Sequence, residues 1–348
     1  MNNKKSTSRR EFLGKSATAT AGLVLASQST FGFPNILRNY KENKSIYKGV
    51  KLGAITYSFR SMPDQSAEAT LQYLVDCGIT NVELMGDPAE SFAGKPKSTI
   101  DRREQYRLYR LSRSGDELSE EQKKEIAESR AQMEAYNKEV ADWRASVSMD
   151  AFITIKAMYA DKGVKIYGFK PNAFGKNNTD GEIDYGLRAA RSLGASHVTL
   201  EHPGDDAHTL KLSQIAAKNK ITVAYHGHEQ QTPTLWNTAL EQSKFNAMNL
   251  DLGHYIAAGN TDALELIEEK HLRIMSMHIK DRKNPANGKA NVPWGTGDTP
   301  ITEVLQLMRD NGYKFPATIE LEYNIPEGSD AVKEVKKCVE YCKNALDS

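Results

Sequence analysis

Three stretches decide the fold: Ile221-Thr-Val-Ala-Tyr-His-Gly-His228, Ala247-Met-Asn-Leu-Asp-Leu-Gly-His254 and Ile274-Met-Ser-Met-His-Ile-Lys-Asp281. Each is a short apolar, β-like run that closes on His, Asp or Lys. Five similar runs precede or follow them: Lys51–Phe59, Asn81–Met85, Val164–Lys170, His197–Glu201 and Ala317–Tyr323. Amphipathic, helix-length segments lie between the runs: Ala67–Cys77, Asp184–Leu193, Leu210–Lys218, Asp262–Leu272, Ile301–Arg309 and Ala331–Leu346. Several stop at a glycine (Gly78, Gly194, Gly312), where a left-handed residue ends a helix at low steric cost. Strands alternating with helices imply a parallel sheet. Eight such units predict an α/β fold, a (β/α)8 TIM barrel, over residues 48–348; such barrels usually need ~250 residues.

The surplus length is concentrated after the second strand. Residues 86–150 are rich in Glu, Lys, Arg and Gln, hold no β-like run, and read as a charged helical insertion. Met133, Tyr136, Val140 and Trp143 recur at three- and four-residue spacing, which predicts one apolar helix face. The expected arrangement is an excursion packed on the barrel; a lid, or a contact in a homo-oligomer, is the other use of such a face.

Residues 1–33 read as separate from the fold. Ser8-Arg9-Arg10-Glu11-Phe12-Leu13 precedes a small apolar run from Ala17 to Ala26, the layout of a twin-arginine export signal. That run is too short for a permanent bilayer span, so no stable membrane anchor is expected, and a periplasmic or exported location is. Residues 34–47 read as a linker. The whole chain has 46 basic and 45 acidic residues; without the signal's five basic residues and one acid, 41 and 44 remain, a net −3. Nucleic-acid binders normally carry a basic excess, so no nucleic-acid partner is expected. Three cysteines (Cys77, Cys338, Cys342) are too few and scattered for a disulfide framework.

In such a barrel the C-terminal strand ends point into the active site. Those ends carry Glu83, Glu201, His226, His228, Asp251, His254, His278, Lys280, Asp281, Glu320 and Glu322. Four of the eight histidines fall there, while His197, His202, His208 and His271 look like background. Residues two apart share a strand face, which pairs His226 with His228, His278 with Lys280, and Glu320 with Glu322. Imidazoles and carboxylates converging from adjacent strands form a mixed N/O donor set suited to Mn²⁺, Co²⁺, Zn²⁺ or Mg²⁺.

The ordered set Asn249-Leu-Asp-Leu-Gly-His254, Met277-His-Ile-Lys-Asp281, Pro293-Trp-Gly-Thr-Gly297 and Gly312-Tyr-Lys-Phe-Pro-Ala-Thr-Ile-Glu320 resembles the xylose isomerase-like barrel superfamily, over about residues 48–345. Its members include sugar and sugar-phosphate isomerases and epimerases, inosose dehydratases and the endonuclease IV group. The resemblance implies one divalent metal, Mn²⁺ before Mg²⁺, Co²⁺ or Zn²⁺, held by His226, Asp251, His278 and Glu320. It also implies substrate contact by His254 and matches Lys280 and Asp281 to a His-x-Lys-Asp element.

One position departs from the family pattern. Many epimerases place Glu on the fifth strand, where it forms an acid/base pair with the eighth-strand Glu; here His226 stands there. Glu201, His228 or Lys280 must then carry the second proton, or Glu201 is the ligand and His226 is displaced. The catalytic candidates are therefore Glu320, Glu201 and Lys280, and the substrate-binding candidates His228, His254, Asp281, Trp294 and Glu322. Trp294 sits in a Gly/Pro-rich loop suited to a sugar face; Tyr225 and Trp236 are further aromatic candidates, with Trp236 equally a core residue.

The expected function is a metal-dependent isomerase or epimerase of a keto- or aldo-sugar, in which a Lewis-acid cation stabilises the enediolate left by α-proton removal. The same intermediate leads to elimination, so a lyase or hydratase acting on keto-sugars or 3-keto-glycosides is the alternative. A non-catalytic sugar-binding barrel is the third. An apurinic-site endonuclease is disfavoured by the acidic balance and the export signal. The expected partner is a small sugar or glycoside.

Overall fold

The computed structural model describes residues 45–115 and 117–348; the signal-like segment and residues 34–44 of the linker lie outside the described residues. Eight parallel strands form the barrel: β1 (Val50–Ile55), β2 (Asn81–Met85), β3 (Lys165–Lys170), β4 (His197–Glu201), β5 (Thr222–His226), β6 (Asn246–Asp251), β7 (Ile274–Ile279) and β8 (Ala317–Ile319). Each pairs with the next. The sheet closes through β8 on β1, with Leu52 opposite Ala317 and Ala54 opposite Ile319. A short strand, Ile46–Tyr47, turns back antiparallel onto β1.

Alternation along each strand divides its side chains between two cores. Outward residues such as Val223, Leu250, Met277 and Ile279 are buried between sheet and helices. That apolar burial, at about 25 cal/mol per Å², drives the fold. Tyr225 and Trp236 belong to this outer layer: both are fully buried, and the Trp236 indole N–H donates to the Tyr225 carbonyl at 2.8 Å. Neither can present a face to a sugar, which corrects that expectation.

The inner positions are unusually polar and mutually satisfied, as burial requires. Tyr167 Oη lies 2.6 Å from Thr318 Oγ1, and Thr199 Oγ1 donates to Glu83 Oε1 at 2.6 Å. His197, set aside from sequence as background, is fully buried inside the barrel with Nε2 3.0 Å from Ser276 Oγ. These groups form the floor of the cup whose walls are the strand ends.

Five of the sequence runs extend past the strand's end, and two of them do so by four residues. β1 ends at Ile55 and passes into the 3-10 turn Thr56–Phe59, and β8 ends at Ile319. The Ser58 hydroxyl takes over from the ladder there, donating to the Ile319 carbonyl (3.1 Å) and accepting from the Leu321 amide (3.0 Å). The backbone can then turn while Glu320 and Glu322 remain on one side.

The insertion folds as three helices, Gly86–Phe92, Arg102–Leu111 and Glu120–Ser146, before the regular helix Asp150–Asp161 leads into β3. Ser119 and Gln122 form a reciprocal capping box at the start of the long helix. Its expected apolar face packs on the start of the insertion and on a barrel helix: Val140 is buried, the Trp143 indole donates to the Ala93 carbonyl and its ring meets Tyr185 edge-on at 5.4 Å, and Tyr136 Oη donates to the Pro96 carbonyl. Arg144 locks the base. It lies 2.8 Å from Glu182 Oε1 and 3.6 Å from Glu90 Oε1, and donates to the Asn172 carbonyl. No helix among the described residues is long and apolar enough to cross a membrane. All three cysteines are buried free thiols.

Arg144→Ala leaves two buried carboxylates without that partner. Urea denaturation should show a loss of about 3–5 kcal/mol; a loss below 1 kcal/mol would mean that the insertion is held by its apolar face alone.

Candidate active site

The geometry follows from local chain direction at each strand end. At the end of β6, Asp251 caps the helix Leu252–Ala257 through Oδ1, which accepts from the His254 amide at 2.7 Å. Its other oxygen, Oδ2, therefore faces the cup; it is buried and has no aligned hydrogen-bond donor. The end of β7 presents His278, fully buried, with Nε2 3.0 Å from Glu83 Oε2 and Nδ1 3.1 Å from Glu320 Oε2.

His226, at the end of β5, is oriented by Asn249. The Asn249 amide nitrogen faces Ser276 Oγ (2.7 Å) and Glu83 Oε2 (3.4 Å), so its oxygen must face His226 Nδ1 at 2.7 Å. His226 is thus an Nδ1–H tautomer, and the lone pair of Nε2 points to Asp251 Oδ2, 3.8 Å away. One donor atom each from His226, Asp251, His278 and Glu320 lies within 4.8 Å of all the others.

Lys280 enters this cluster from the β7 end. Its Nζ is 2.9 Å from Asp251 Oδ2, 2.7 Å from Glu320 Oε2 and 2.6 Å from Glu322 Oε2. Gly253 is required for this path, because a Cβ there would stand 2.4 Å from Lys280 Cγ. His254 sits at the rim. Arg282 donates to its Nδ1 at 2.6 Å, so the proton of the neutral ring is on Nε2, the atom 4.0 Å from Glu322.

Burial and neighbours set the protonation states. Burial drives the His226 imidazole well below its ordinary value, helped by the positive charges of Lys170 and His278. Burial likewise takes His254 down to about 2. Burial opposes charge on His278 too, but the Glu83 and Glu320 carboxylates prevail and lift it to about 10. Burial lifts Asp251 to about 7 against the pull of Lys280. For Glu320, burial is overcome by Lys280 and His278, and the carboxyl is held well below the usual range, hence ionised.

Several sequence candidates lie outside this cluster. Glu201 and His228 are half-exposed at the rim, paired with each other at 3.2 Å, and Glu201 is also paired with Lys170 at 2.9 Å. The close four-donor group contains His226 and not Glu201. Asp281, expected to contact substrate, is buried, and its carboxylate accepts from the backbone amides of Gly295 (2.8 Å), Gly297 (2.8 Å) and Thr299 (3.3 Å). It orders the 291–299 loop. A Cβ on Gly297 would lie 1.8 Å from its Oδ1, so the loop glycine is a packing requirement. Trp294 is half-buried and packs edge-on against Tyr341 of the C-terminal helix, with ring centroids 5.8 Å apart.

Sequence reasoning left out Lys170, Asn249, Ser276 and Arg282, and gave Glu83 no role. Lys170 ends β3 at a strand tip, the signal used for the others, but a lone Lys carries no metal-ligand cue.

A polar cup at the C-terminal ends of a closed parallel barrel, with an N/O donor set, defines the class of the protein. Residues 125–344 match the xylose isomerase-like TIM barrel, and the chain belongs to that family. No curated protein matches its sequence. Among solved structures it is similar to a sugar phosphate isomerase/epimerase from Parabacteroides distasonis, at 16% identity over 86% of this chain and 96% of that one, with a TM-score of 0.54. It is also similar to the 3-keto-D-glucoside 4-epimerase YcjR from E. coli (11%, 85% and 99%, TM-score 0.54). The probable 3-DHS dehydratase AsbF from Bacillus anthracis is similar as well (14%, 83% and 97%, TM-score 0.55).

The four residues fit a divalent ion. Two imidazole nitrogens and two carboxylate oxygens converge, the Asp251 oxygen lacks an aligned donor, and each imidazole is oriented from behind by a hydrogen-bonded partner, as metal-ligating histidines usually are. A second group, His226, His228 and His254, is as compact. It fits an ion less well, because the Arg282 bond leaves the cup-facing nitrogen of His254 protonated.

In the metal-free protein the raised His278 contributes stability that is complete below pH 6.5 and is lost as pH rises to about 10. Urea midpoints should fall across that window. Glu83→Gln should flatten the fall; an unchanged alkaline slope would show that Glu83 does not hold the His278 proton.

Proposed function

We propose that the protein is a divalent-metal-dependent sugar isomerase or epimerase that works through an enediolate, with His226, Asp251, His278 and Glu320 holding the ion. The convergence of Asp251 Oδ2, buried and without an aligned donor, with two oriented imidazoles and a second carboxylate carries this proposal. A bound Mn²⁺, or Mg²⁺, Co²⁺ or Zn²⁺ in its place, supplies Lewis-acid polarisation of a carbonyl. Glu320, ionised beside Lys280 and His278, is the group to accept an α-proton. Lys280, held firmly protonated by the carboxylates around it, can donate a hydrogen bond to a substrate oxygen. His254 Nε2–H donates towards a substrate oxygen beside Glu322.

A second reading is supported by the asymmetry of the cup. The wall opposite Glu320 offers Lys170, Glu201 and His228, and Glu201 is already paired with both neighbouring side chains. One buried carboxylate base facing a wall on which Glu201 is held by Lys170 and His228 suits expulsion of a β-substituent, the lyase or hydratase outcome, better than exchange between two carboxylates. Export by the twin-arginine-like segment would favour a free sugar or 3-keto-glycoside over a phosphorylated sugar.

Two variants test the assignment. His278→Ala should lose bound metal, measured by elemental analysis of the folded protein; undiminished occupancy would remove His278 from the ligand set. Glu320→Gln should lower turnover by about 10²–10⁴-fold, the usual contribution of a general base. Near-wild-type turnover would place the base elsewhere. Stoichiometric sugar binding without metal or turnover would identify a binding barrel.

A further inference from the structure

We infer that Lys280 is a built-in, displaceable cation: its ammonium occupies the centre of the carboxylate set, and a divalent ion enters by pushing it onto Glu322. The geometry is specific on both counts. Lys280 Nζ lies 2.9 Å from Asp251 Oδ2 and 2.7 Å from Glu320 Oε2, the two oxygens that the ion would need. Two cations at that range of one carboxylate pair repel each other in a poorly solvated cup, so they cannot both keep these contacts.

The exit is equally defined. Nζ donates its aligned hydrogen bond to Glu322 Oε2 at 2.6 Å, while Asp251 Oδ2 has no aligned donor even with the ammonium at ion-pair distance. The contact to Asp251 is thus charge without direction, and Glu322 already offers an aligned partner for the displaced ammonium. Close packing on Gly253 fixes the lower stem at Cγ, so only the far end of the side chain can swing. Displacement leaves the ammonium on Glu322, beside His254 and on the side from which substrate enters.

Two consequences follow for the cup. Without a divalent ion, Lys280 prevents four acidic side chains (Glu83, Asp251, Glu320 and Glu322) from facing one another with only His278 between them. With the ion bound, the same ammonium becomes a positioned donor towards a substrate oxygen. Arg282, fixed on Glu229 at 2.8 Å and on His254, lines the next step of the rim, so the displaced ammonium has no second carboxylate to move to there.

The inference rests on the proposal that a divalent ion binds at Asp251 and Glu320, and the test separates the two. Mn²⁺ affinity is measured by calorimetry on the folded wild type and on Lys280→Met. Loss of the competing charge should tighten the Mn²⁺ dissociation constant by about tenfold or more, and Mn²⁺ should raise the melting temperature of the variant more than that of the wild type. A variant that folds only with Mn²⁺ supports the same conclusion. Equal or weaker binding by Lys280→Met overturns the displacement and leaves the metal site standing. Absence of Mn²⁺ binding by both proteins removes the metal site and the inference together.

If the variant does not fold at all, a crystal structure of the Mn²⁺-loaded wild type decides. Nζ should have left Asp251 while keeping its bond to Glu322; an ammonium still beside Asp251 Oδ2 with the ion in place would refute the inference.

Discussion

One buried carboxylate orients the whole site. Glu83, on β2 beneath the cup, is fully buried, receives the Thr199 hydroxyl on Oε1, and holds His278 Nε2 and the Asn249 amide on Oε2. Through His278 it aims Nδ1 at Glu320. Through Asn249 it fixes which amide atom faces His226, and hence which imidazole nitrogen keeps a lone pair for the cup. A buried carboxylate is costly unless it is paired and hydrogen-bonded, and here that requirement dictates the orientation of both histidines. The polar barrel floor of Thr199, Asn249, Ser276 and His197 is what allows the charge to sit there.

The cup built on this floor has unlike walls. On one side Asp251, Glu320 and Glu322 converge on Lys280; on the other Lys170, Glu201 and His228 pair with one another. The first wall has the groups to bind a cation and take a proton, and the second has N–H donors at the rim. His226 contributes to this asymmetry, because burial keeps its imidazole neutral at a strand end where a carboxylate would be ionised. The 291–299 loop is held by Asp281 on one side and by Trp294 against Tyr341 on the other.

Much of this was legible in the chain. Strict alternation of short apolar runs with amphipathic segments determines a barrel because each strand must bury one face outward and turn the other in. His197–Glu201 and Asn81–Met85 match their predicted bounds. His226, Asp251, His278 and Glu320 were legible in two steps: strand-end position put them among eleven candidates, and the family resemblance picked out these four as a set. Partnership was not legible. Asp281 occupies a strand-end position like the others, yet three backbone amides 14 to 18 residues away claim its carboxylate. Trp294 had the right loop composition, and its direction is decided by a helix about forty residues on. His197 and Glu83 could be assigned only when the barrel brought β2, β4, β6 and β7 to one floor.

The account stands on enolisation of a carbonyl sugar in this cup. The most direct measurement is proton NMR of the Mn²⁺-loaded protein in D₂O with ketoses and 3-keto-glycosides. Deuterium is predicted at the α-carbon of at least one of them, with an epimer, an isomer or a cleaved glycoside as product. A metal-loaded, folded protein that leaves every α-proton in place would contradict the account.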